Sequence, residues 1–203
     1  MTSRKITFAL ILVIVVLGSS YLIKTILEPK VPTNDYKVNK TIAGYDYSLD
    51  DRDSEIMISE FNELVKVLAK EEINYEEYAS LLAKLYIIDL YTIDNKVNAN
   101  DTPCLEYIES SIADNFKLNI QNTIYKYVVD NTNKNRKQDL PVVKKVAVDK
   151  IEPKSFSLDK EEYSGYQVTL SWEYEEDMEY DTKSILDIIK KQNKLYIIKQ
   201  SNI

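Results

Sequence analysis

Residues 166–174 read YQVTLSWEY, and this stretch decides the fold class of the C-terminal half of the chain. Apolar and polar residues alternate along it, which is the period of a β-strand with one buried face. The face predicted to pack on the core holds Tyr166, Val168, Leu170, Trp172 and Tyr174. The aromatic residues of this face are therefore interpreted first as core residues.

Three further stretches around this strand predict an antiparallel sheet of about four strands. They are residues 140–151 (LPVVKKVAVDKI), 182–191 (TKSILDIIKK) and 194–200 (KLYIIKQ). Gln192 and Asn193 separate the last two stretches, and a two-residue gap of this kind predicts a tight hairpin.

Upstream of the strands the apolar period is that of helices. A first helix is predicted from Asp53 or Ser54 to about Ala69, and a second from Tyr75 to about Lys96 after an Asn74 cap. A third helix is predicted from about Ser110 to Asp130. Helices followed by antiparallel strands indicate an α+β domain over 54–203, with about three helices packed on a curved sheet.

Residues 6–23 (ITFALILVIVVLGSSYLI) contain no charged residue and predict a single membrane-spanning helix. A cleaved signal peptide is the alternative, because Gly18-Ser19-Ser20 resembles a cleavage site. We expect 1–27 to be a cytoplasmic tip plus anchor and 28–53 a linker. Arg4 and Lys5 precede the span, so we expect the C-terminal domain to lie outside the cytoplasm at the cell membrane, although the lysines after the span favour the opposite orientation.

The composition excludes several classes of function. The chain has no histidine, which removes Ser-His-Asp triads, Cys-His pairs and HExxH zinc sites. Three glycines disfavour a phosphate-binding loop. The net charge is −7 although residues 1–30 are basic, so the domain is acidic and we expect no nucleic-acid partner. No cofactor or metal site is predicted, since the acids at 46–53 lack the spacing of a calcium loop.

Asp89 is the candidate for a pocket residue, because it lies on the same face of its helix as Tyr78 and Tyr86. Burial would raise the pKa of its carboxyl group and suit it to acid–base chemistry. The plainer interpretation is a structural carboxylate that is hydrogen-bonded by its neighbours.

A possible interaction surface is predicted from residues that lie outside the strand's alternation. Tyr163 and Tyr180 are the aromatic members, and Glu175, Glu176 and Asp177 belong to an acidic stretch between strands. The plainer interpretation of the acidic stretch is a solvated turn.

The order of anchor, linker, helices and sheet resembles the nuclear-transport-factor-two-like cone fold. The segments that carry the resemblance are YASLLAKLYIIDLYTIDNK (78–96) and TKSILDIIKKQNKLYIIKQ (182–200), within about 54–201. The resemblance is to membrane-anchored extracytoplasmic members from Gram-positive bacteria, including the bitopic component of type IV secretion and conjugation machines. It implies a pocketed or dimerising module, and catalysis of the family's kind only through Asp89, since no histidine is present.

These patterns favour a non-catalytic, membrane-anchored protein-interaction domain of a cell-envelope complex, with protein partners or self-association. One alternative is a small-ligand-binding or catalytic cone centred on Asp89. Another is a sensor or inhibitory module acting on a membrane neighbour.

Overall fold

The computed structural model describes residues 40–203 and confirms an α+β fold, with three α-helices and a four-stranded antiparallel sheet. A short hairpin comes first, formed by β1 (Lys40–Ile42) and β2 (Tyr47–Leu49). The helices are α1 (Glu55–Leu68), α2 (Tyr75–Tyr91) and α3 (Ala113–Asn122), the last preceded by a 3₁₀ turn, Ser110–Ile112. The sheet contains β3 (Val143–Leu158), β4 (Glu161–Tyr174), β5 (Lys183–Lys191) and β6 (Lys194–Asn202).

The first two helices begin at the predicted caps. The Ser54 hydroxyl accepts a hydrogen bond from the Met57 N–H (3.4 Å), and the Asn74 side chain accepts from the N–H groups of Glu76 and Glu77 (3.1 and 3.2 Å). These bonds satisfy amides that have no partner inside the helix, which is why the local sequence sets both start points.

The predicted ends of the second and third helices are wrong. Helix α2 stops at Tyr91 rather than near Lys96, because the Ile93 N–H donates to the Pro141 carbonyl (2.9 Å) instead of continuing the helix. Helix α3 stops at Asn122 rather than Asp130. Near its end the Thr123 hydroxyl donates to the Asn119 carbonyl (2.6 Å), a local bond that competes with regular helix.

The sheet is a simple meander in the order β3-β4-β5-β6. The hairpin turn predicted at Gln192 and Asn193 is confirmed, and it joins β5 to β6. Strand β3 runs seven residues beyond the predicted end at residue 151, to Leu158. Its turn into β4 holds Asp159 and Lys160, both with positive φ (53° and 70°), which is the backbone that matches the twist of a two-residue hairpin.

The core lies between α2 and one face of the sheet. Eleven of the seventeen residues of α2 are buried. On β4 the predicted inward face is confirmed, with Val168, Leu170, Trp172 and Tyr174 buried and Tyr166 partly buried against the core. The rings of Trp172 and Tyr91 lie 4.7 Å apart between centroids. Six of the chain's sixteen tyrosines are fully buried in this core, namely Tyr47, Tyr78, Tyr86, Tyr91, Tyr107 and Tyr125.

Residues 28–53 are predicted to form a linker. For residues 40–53 this prediction is wrong, because they belong to the folded domain. Tyr47 is fully buried and its hydroxyl donates to the carbonyl of Leu195 in β6 (3.1 Å). A backbone stretch that looks polar and aperiodic is therefore held by two side chains, Tyr47 and Leu49, inserted into the core.

Within residues 40–203, no helix combines the length and the apolar character needed to cross a bilayer. The predicted anchor at residues 6–23 lies outside the described residues, as do the cytoplasmic tip and the first part of the linker.

Candidate functional site

A polar cleft of about 170 Å³ opens beside Asp89. Its walls come from β2 and the segment after it, from α1 and α2, and from the loop between α2 and the 3₁₀ turn. The lining residues are Ser48, Asp50, Arg52, Asp53, Met57, Asp89, Lys96, Asp101, Thr102, Pro103, Cys104, Leu105, Glu106 and Tyr107. Half of these fourteen residues are charged, so the cleft differs in chemistry from the apolar core beside it.

Asp89 is held on two sides. Its carboxylate accepts from the Lys96 ammonium (2.5 Å) and from the backbone N–H of Cys104 (2.7 Å). The Lys96 side chain is 6% exposed and that of Asp89 is 17% exposed. Burial by itself lowers the pKa of Lys96, but the adjacent carboxylate more than compensates and raises it. This pair matches the structural interpretation of Asp89.

Arg52 links two acids across the cleft. Its guanidinium donates to Asp50 (2.8 Å) and to Asp101 (2.5 Å), and Asp101 also accepts from the Val97 N–H (2.9 Å). The Asp50 side chain accepts from the Arg52 N–H (2.7 Å), a side-chain-to-backbone turn typical of aspartate. These hydrogen bonds hold the turn before α1 against the loop that contains Asp101.

Two carboxyl groups of the cleft have raised pKa values. Glu106 accepts from the Ser48 N–H and hydroxyl (both 3.2 Å), but burial raises its pKa to about 7. Burial likewise raises the pKa of Asp53 to about 6, against a hydrogen bond from the Asp50 N–H (2.7 Å) that lowers it. Both groups can therefore exchange a proton near neutral pH.

Tyr107 is fully buried at the wall of the cleft, and its hydroxyl makes no hydrogen bond of good geometry with any residue of 40–203. It lies close enough to Glu106 to lower the pKa of that carboxyl. A buried hydroxyl without a well-formed hydrogen bond is costly, so it marks a place where a ligand group or water would complete the hydrogen bonding.

Cys104 adds no reactive thiol to the cleft. Burial raises the pKa of the thiol well above its ordinary value, and the thiol donates to the Tyr86 carbonyl (3.4 Å). A protonated, buried thiol is a poor nucleophile. No cluster of three metal-ligating acids or thiols was found in the described part of the chain.

The structure does not bring Tyr78 and Tyr86 to Asp89's cleft. The Tyr78 hydroxyl accepts from the Leu195 N–H (3.2 Å) and lies 2.5 Å from the Tyr47 hydroxyl, inside the core. Tyr86 is buried and donates to Gln200 (2.8 Å) on the β6 side. Asp89, Tyr78 and Tyr86 lie on the same face of α2 in helical projection. In the folded domain this face is covered by different elements along its length, so the three side chains have different neighbours.

The residues of the predicted interaction surface lie at two ends of one strand. Tyr163 is near the start of β4, where its hydroxyl donates to Glu161 (2.7 Å), while Tyr180 packs near Tyr174 at the other end (ring centroids 6.2 Å apart). Eleven residues of strand separate Tyr163 from Tyr174, roughly 35 Å. Glu175, Glu176 and Asp177 are exposed at the Tyr180 end. Tyr163 is thus separate from the acidic stretch.

A second concave surface lies between α3 and β6. It has a volume of about 350 Å³ and is lined mainly by apolar residues, including Ile112, Phe116, Ile120 and Ile197. We call it the α3 groove. Among the described residues, four of the six exposed large hydrophobic side chains lie between residues 105 and 129 of the chain, namely Leu105, Leu118, Tyr127 and Val129, but none of them lines the groove.

The sequence gives little sign of the cleft residues other than Asp89. Arg52, Asp53, Asp101 and Glu106 lie in polar loops, where aspartate and asparagine are normal turn residues. Only the local density of acids at 46–53 points to them, and that density lacks any ligand spacing. Their convergence depends on contacts between segments about fifty residues apart.

Comparisons of the chain with models of protein families, with curated proteins and with solved structures found no match. The resemblance to the nuclear-transport-factor-two-like family therefore stays a prediction.

Proposed function

We propose that this chain is a protein-interaction domain of a cell-envelope complex, anchored in the membrane by residues 6–23 and lying outside the cytoplasm. The observation that carries the proposal is the α3 groove itself, a concave surface of about 350 Å³ that is lined mainly by apolar residues. Two of these residues, Ile112 and Phe116, are only partly buried. Contiguous apolar surface on a folded domain is typical of a site that another protein covers.

The proposed occupant is an apolar segment of a partner protein. The groove is apolar at its floor, where Ile112, Ile120 and Ile197 lie, and amide-lined at its rim, where Asn115 and Asn119 lie. An apolar centre with a polar rim is the usual anatomy of a protein–protein interface. The contrast with the cleft is clear, since neither acids nor ion pairs line this groove.

Site-specific photo-crosslinking in cells tests the proposal. A benzophenone amino acid placed at Asn115 or Asn119, the exposed residues at the rim of the groove, should crosslink to one discrete protein, whereas the same group at exposed Lys66 on α1 should not. Equal crosslinking from all three positions, or none from Asn115 and Asn119, would contradict it. A fourth position, Tyr180, tests the acidic end of β4 that the sequence predicts as a surface.

Protease treatment of protoplasts tests the proposed location. Digestion of the C-terminal domain in intact protoplasts is the expected result. Protection of this domain while a known external domain is cleaved would overturn the orientation without affecting the crosslinking result.

A second candidate function is ligand binding in a cone-like domain at the cleft beside Asp89. It is favoured by the presence of a polar cavity at that residue, where a sealed apolar environment would have removed the idea. Binding is better supported than catalysis, because Asp89 is engaged by Lys96 and the thiol of Cys104 is protonated. Stabilisation of the full-length chain by a small molecule, lost when Glu106 or Tyr107 is changed, is the test developed below.

A further inference from the structure

The cleft contains more carboxyl groups than cations. Its acids are Asp50, Asp53, Asp89, Asp101 and Glu106, and its cations are Arg52 and Lys96. Both cations already form ion pairs, Arg52 with Asp50 and Asp101, and Lys96 with Asp89. Among the described residues, Asp53 and Glu106 form no salt bridge within 4.0 Å. The cleft therefore holds two partly buried carboxyl groups that have no cation of the described residues within salt-bridge distance.

The hydroxyl of Tyr107 is an independent sign of an absent ligand group. It is fully buried, it belongs to a residue that lines the cleft, and it lacks a well-formed hydrogen bond within residues 40–203. Buried hydroxyl groups are nearly always paired in native proteins. Its position next to Glu106 places an acceptor oxygen beside a carboxyl group that is short of positive charge.

The residues that line the cleft suit an organic cation better than a metal ion. No set of three metal-ligating side chains was found in the part of the chain that the structure describes. A volume of about 170 Å³ corresponds to roughly five or six waters at about 30 Å³ each, room for the end of an alkyl chain with its charged head. An ammonium group has three N–H donors and no acceptor, which suits a site made of carboxylates and a hydroxyl.

We propose that the cleft between the β2–α1 segment and the Lys96–Tyr107 loop binds an ammonium group, supplied by a free amine or by a lysine side chain. The Glu106 and Asp53 carboxylates and the Tyr107 hydroxyl accept its hydrogen bonds. Arg52 and Lys96 hold the remaining acids in place and are not available to repel the ligand strongly, because each is already neutralised by a carboxylate. This inference rests on the second candidate function, ligand binding at the cleft.

A matched series of five-carbon probes tests the proposal on the full-length chain in non-ionic detergent at constant ionic strength. The series is 1,5-diaminopentane, 1,5-pentanediol and glutarate, which carry positive, neutral and negative groups on the same chain length. Nα-acetyl-lysine N-methylamide, the side chain in a peptide-like form, separates the two sources of the ammonium. Binding is measured by calorimetry, and the midpoint of thermal unfolding gives a second readout.

The expected result is saturable binding of the diamine or of the lysine derivative, with no binding of the diol or of glutarate. Tyr107→Phe and Glu106→Gln should each weaken that binding at least tenfold. Tyr107→Phe should leave the unfolding midpoint without ligand unchanged or higher, since it removes a buried hydroxyl that makes no well-formed hydrogen bond. The matched control Glu175→Gln, an exposed acid outside the cleft, should not alter the affinity.

Three results would overturn the proposal, and each has a different meaning. Binding of the diol or of glutarate, lost in Tyr107→Phe, would show that the cleft binds ligands but not cations. Absence of binding by every probe would remove the ligand-binding function as well. Equal loss of diamine affinity in Glu175→Gln and Glu106→Gln would mean that only the overall acidity of the domain attracts the amine.

Discussion

Two regions of this molecule are rich in acidic residues, but they differ in how far their carboxyl groups are exposed to water. The stretch after β4, with Glu175, Glu176 and Asp177, is continuous in sequence and exposed to solvent. The cleft collects its acids from three separate parts of the chain, and two of them, Asp53 and Glu106, have pKa values raised by burial. A run of acids in a loop keeps its hydration, whereas acids gathered by folding lose it and need partners.

The largest expected effect is the loss of stability when the Lys96–Asp89 ion pair is broken. Its size tests whether the charges of the cleft are shielded from water. Lys96→Met should lower the free energy of unfolding by about 3 kcal/mol, because it leaves Asp89 without its partner in a largely buried position. Urea denaturation measures the change. The control Lys145→Met breaks an exposed pair with Glu173 and should cost about 1 kcal/mol or less. Similar losses in both variants would erase the distinction between cleft and surface.

Stability should fall as the pH rises from about 5 to 8. A carboxyl whose pKa is higher in the folded chain gives the folded state more bound protons at intermediate pH. The stabilisation is then complete below the unfolded value of 4.5 and is lost as the pH rises through the folded value, about 7 for Glu106. The shift corresponds to about 3 kcal/mol. Asp53 acts in the same direction up to a pH of about 6.

Denaturation of Glu106→Gln over the same pH range checks this origin. The variant should lose most of the slope between pH 5 and 8, while Glu175→Gln should keep it. Glu109, whose pKa is about 2 because hydrogen bonds from Lys191 and Ser111 outweigh its burial, acts only at lower pH and leaves this window unaffected. A wild-type stability that rises with pH would contradict the assignment.

A smaller effect separates charge from geometry in the cleft. Arg52→Lys keeps the positive charge but cannot reach Asp50 and Asp101 together as the guanidinium does. The loss of one charge-assisted hydrogen bond should cost about 1–2 kcal/mol in denaturation experiments. Lys144→Arg, at an exposed position near Glu173, is the control and should be neutral. An unchanged Arg52→Lys variant would indicate that the two acids interact with Arg52 through charge alone.

The smallest expected effect concerns the exposed stretch itself. Changing Glu175, Glu176 and Asp177 together to Gln, Gln and Asn should alter the free energy of unfolding by less than about 0.5 kcal/mol, since surface changes away from special features are usually of that size. Urea denaturation at low ionic strength gives the most sensitive measurement. A loss of more than about 1 kcal/mol in the free energy of unfolding would show that these exposed acids, like those of the cleft, stabilise the fold.

Much of the fold could be predicted because its signals are local. Ser54 and Asn74 mark helix starts through hydrogen bonds within three residues, and the alternation around Trp172 reports which face of β4 is buried. Helix ends were less predictable. Helix α2 ends where the Ile93 N–H donates to the carbonyl of Pro141, almost fifty residues away in the chain. A local sequence pattern cannot predict a hydrogen bond over that separation.

The candidate site was predictable in only one residue. Asp89 stands out because a charged residue on an apolar helix face is visible in projection. Tyr78 and Tyr86 share that face, yet their hydroxyls bond to opposite parts of the sheet's last strand. Arg52, Glu106 and Tyr107 carry no such signal, since each looks like an ordinary loop residue until the loops meet.

By itself, the sequence determined the class of the fold, the order of its helices and strands, and the exclusion of histidine chemistry, because periodicity and composition act over a few residues. Only the tertiary structure decided that residues 40–53 belong to the domain and that dispersed acids share one cleft. The physical reason is that burial and charge proximity depend on segments distant in the chain. A carboxyl group's hydration, and with it the pKa of Glu106, is a property of what surrounds it in space.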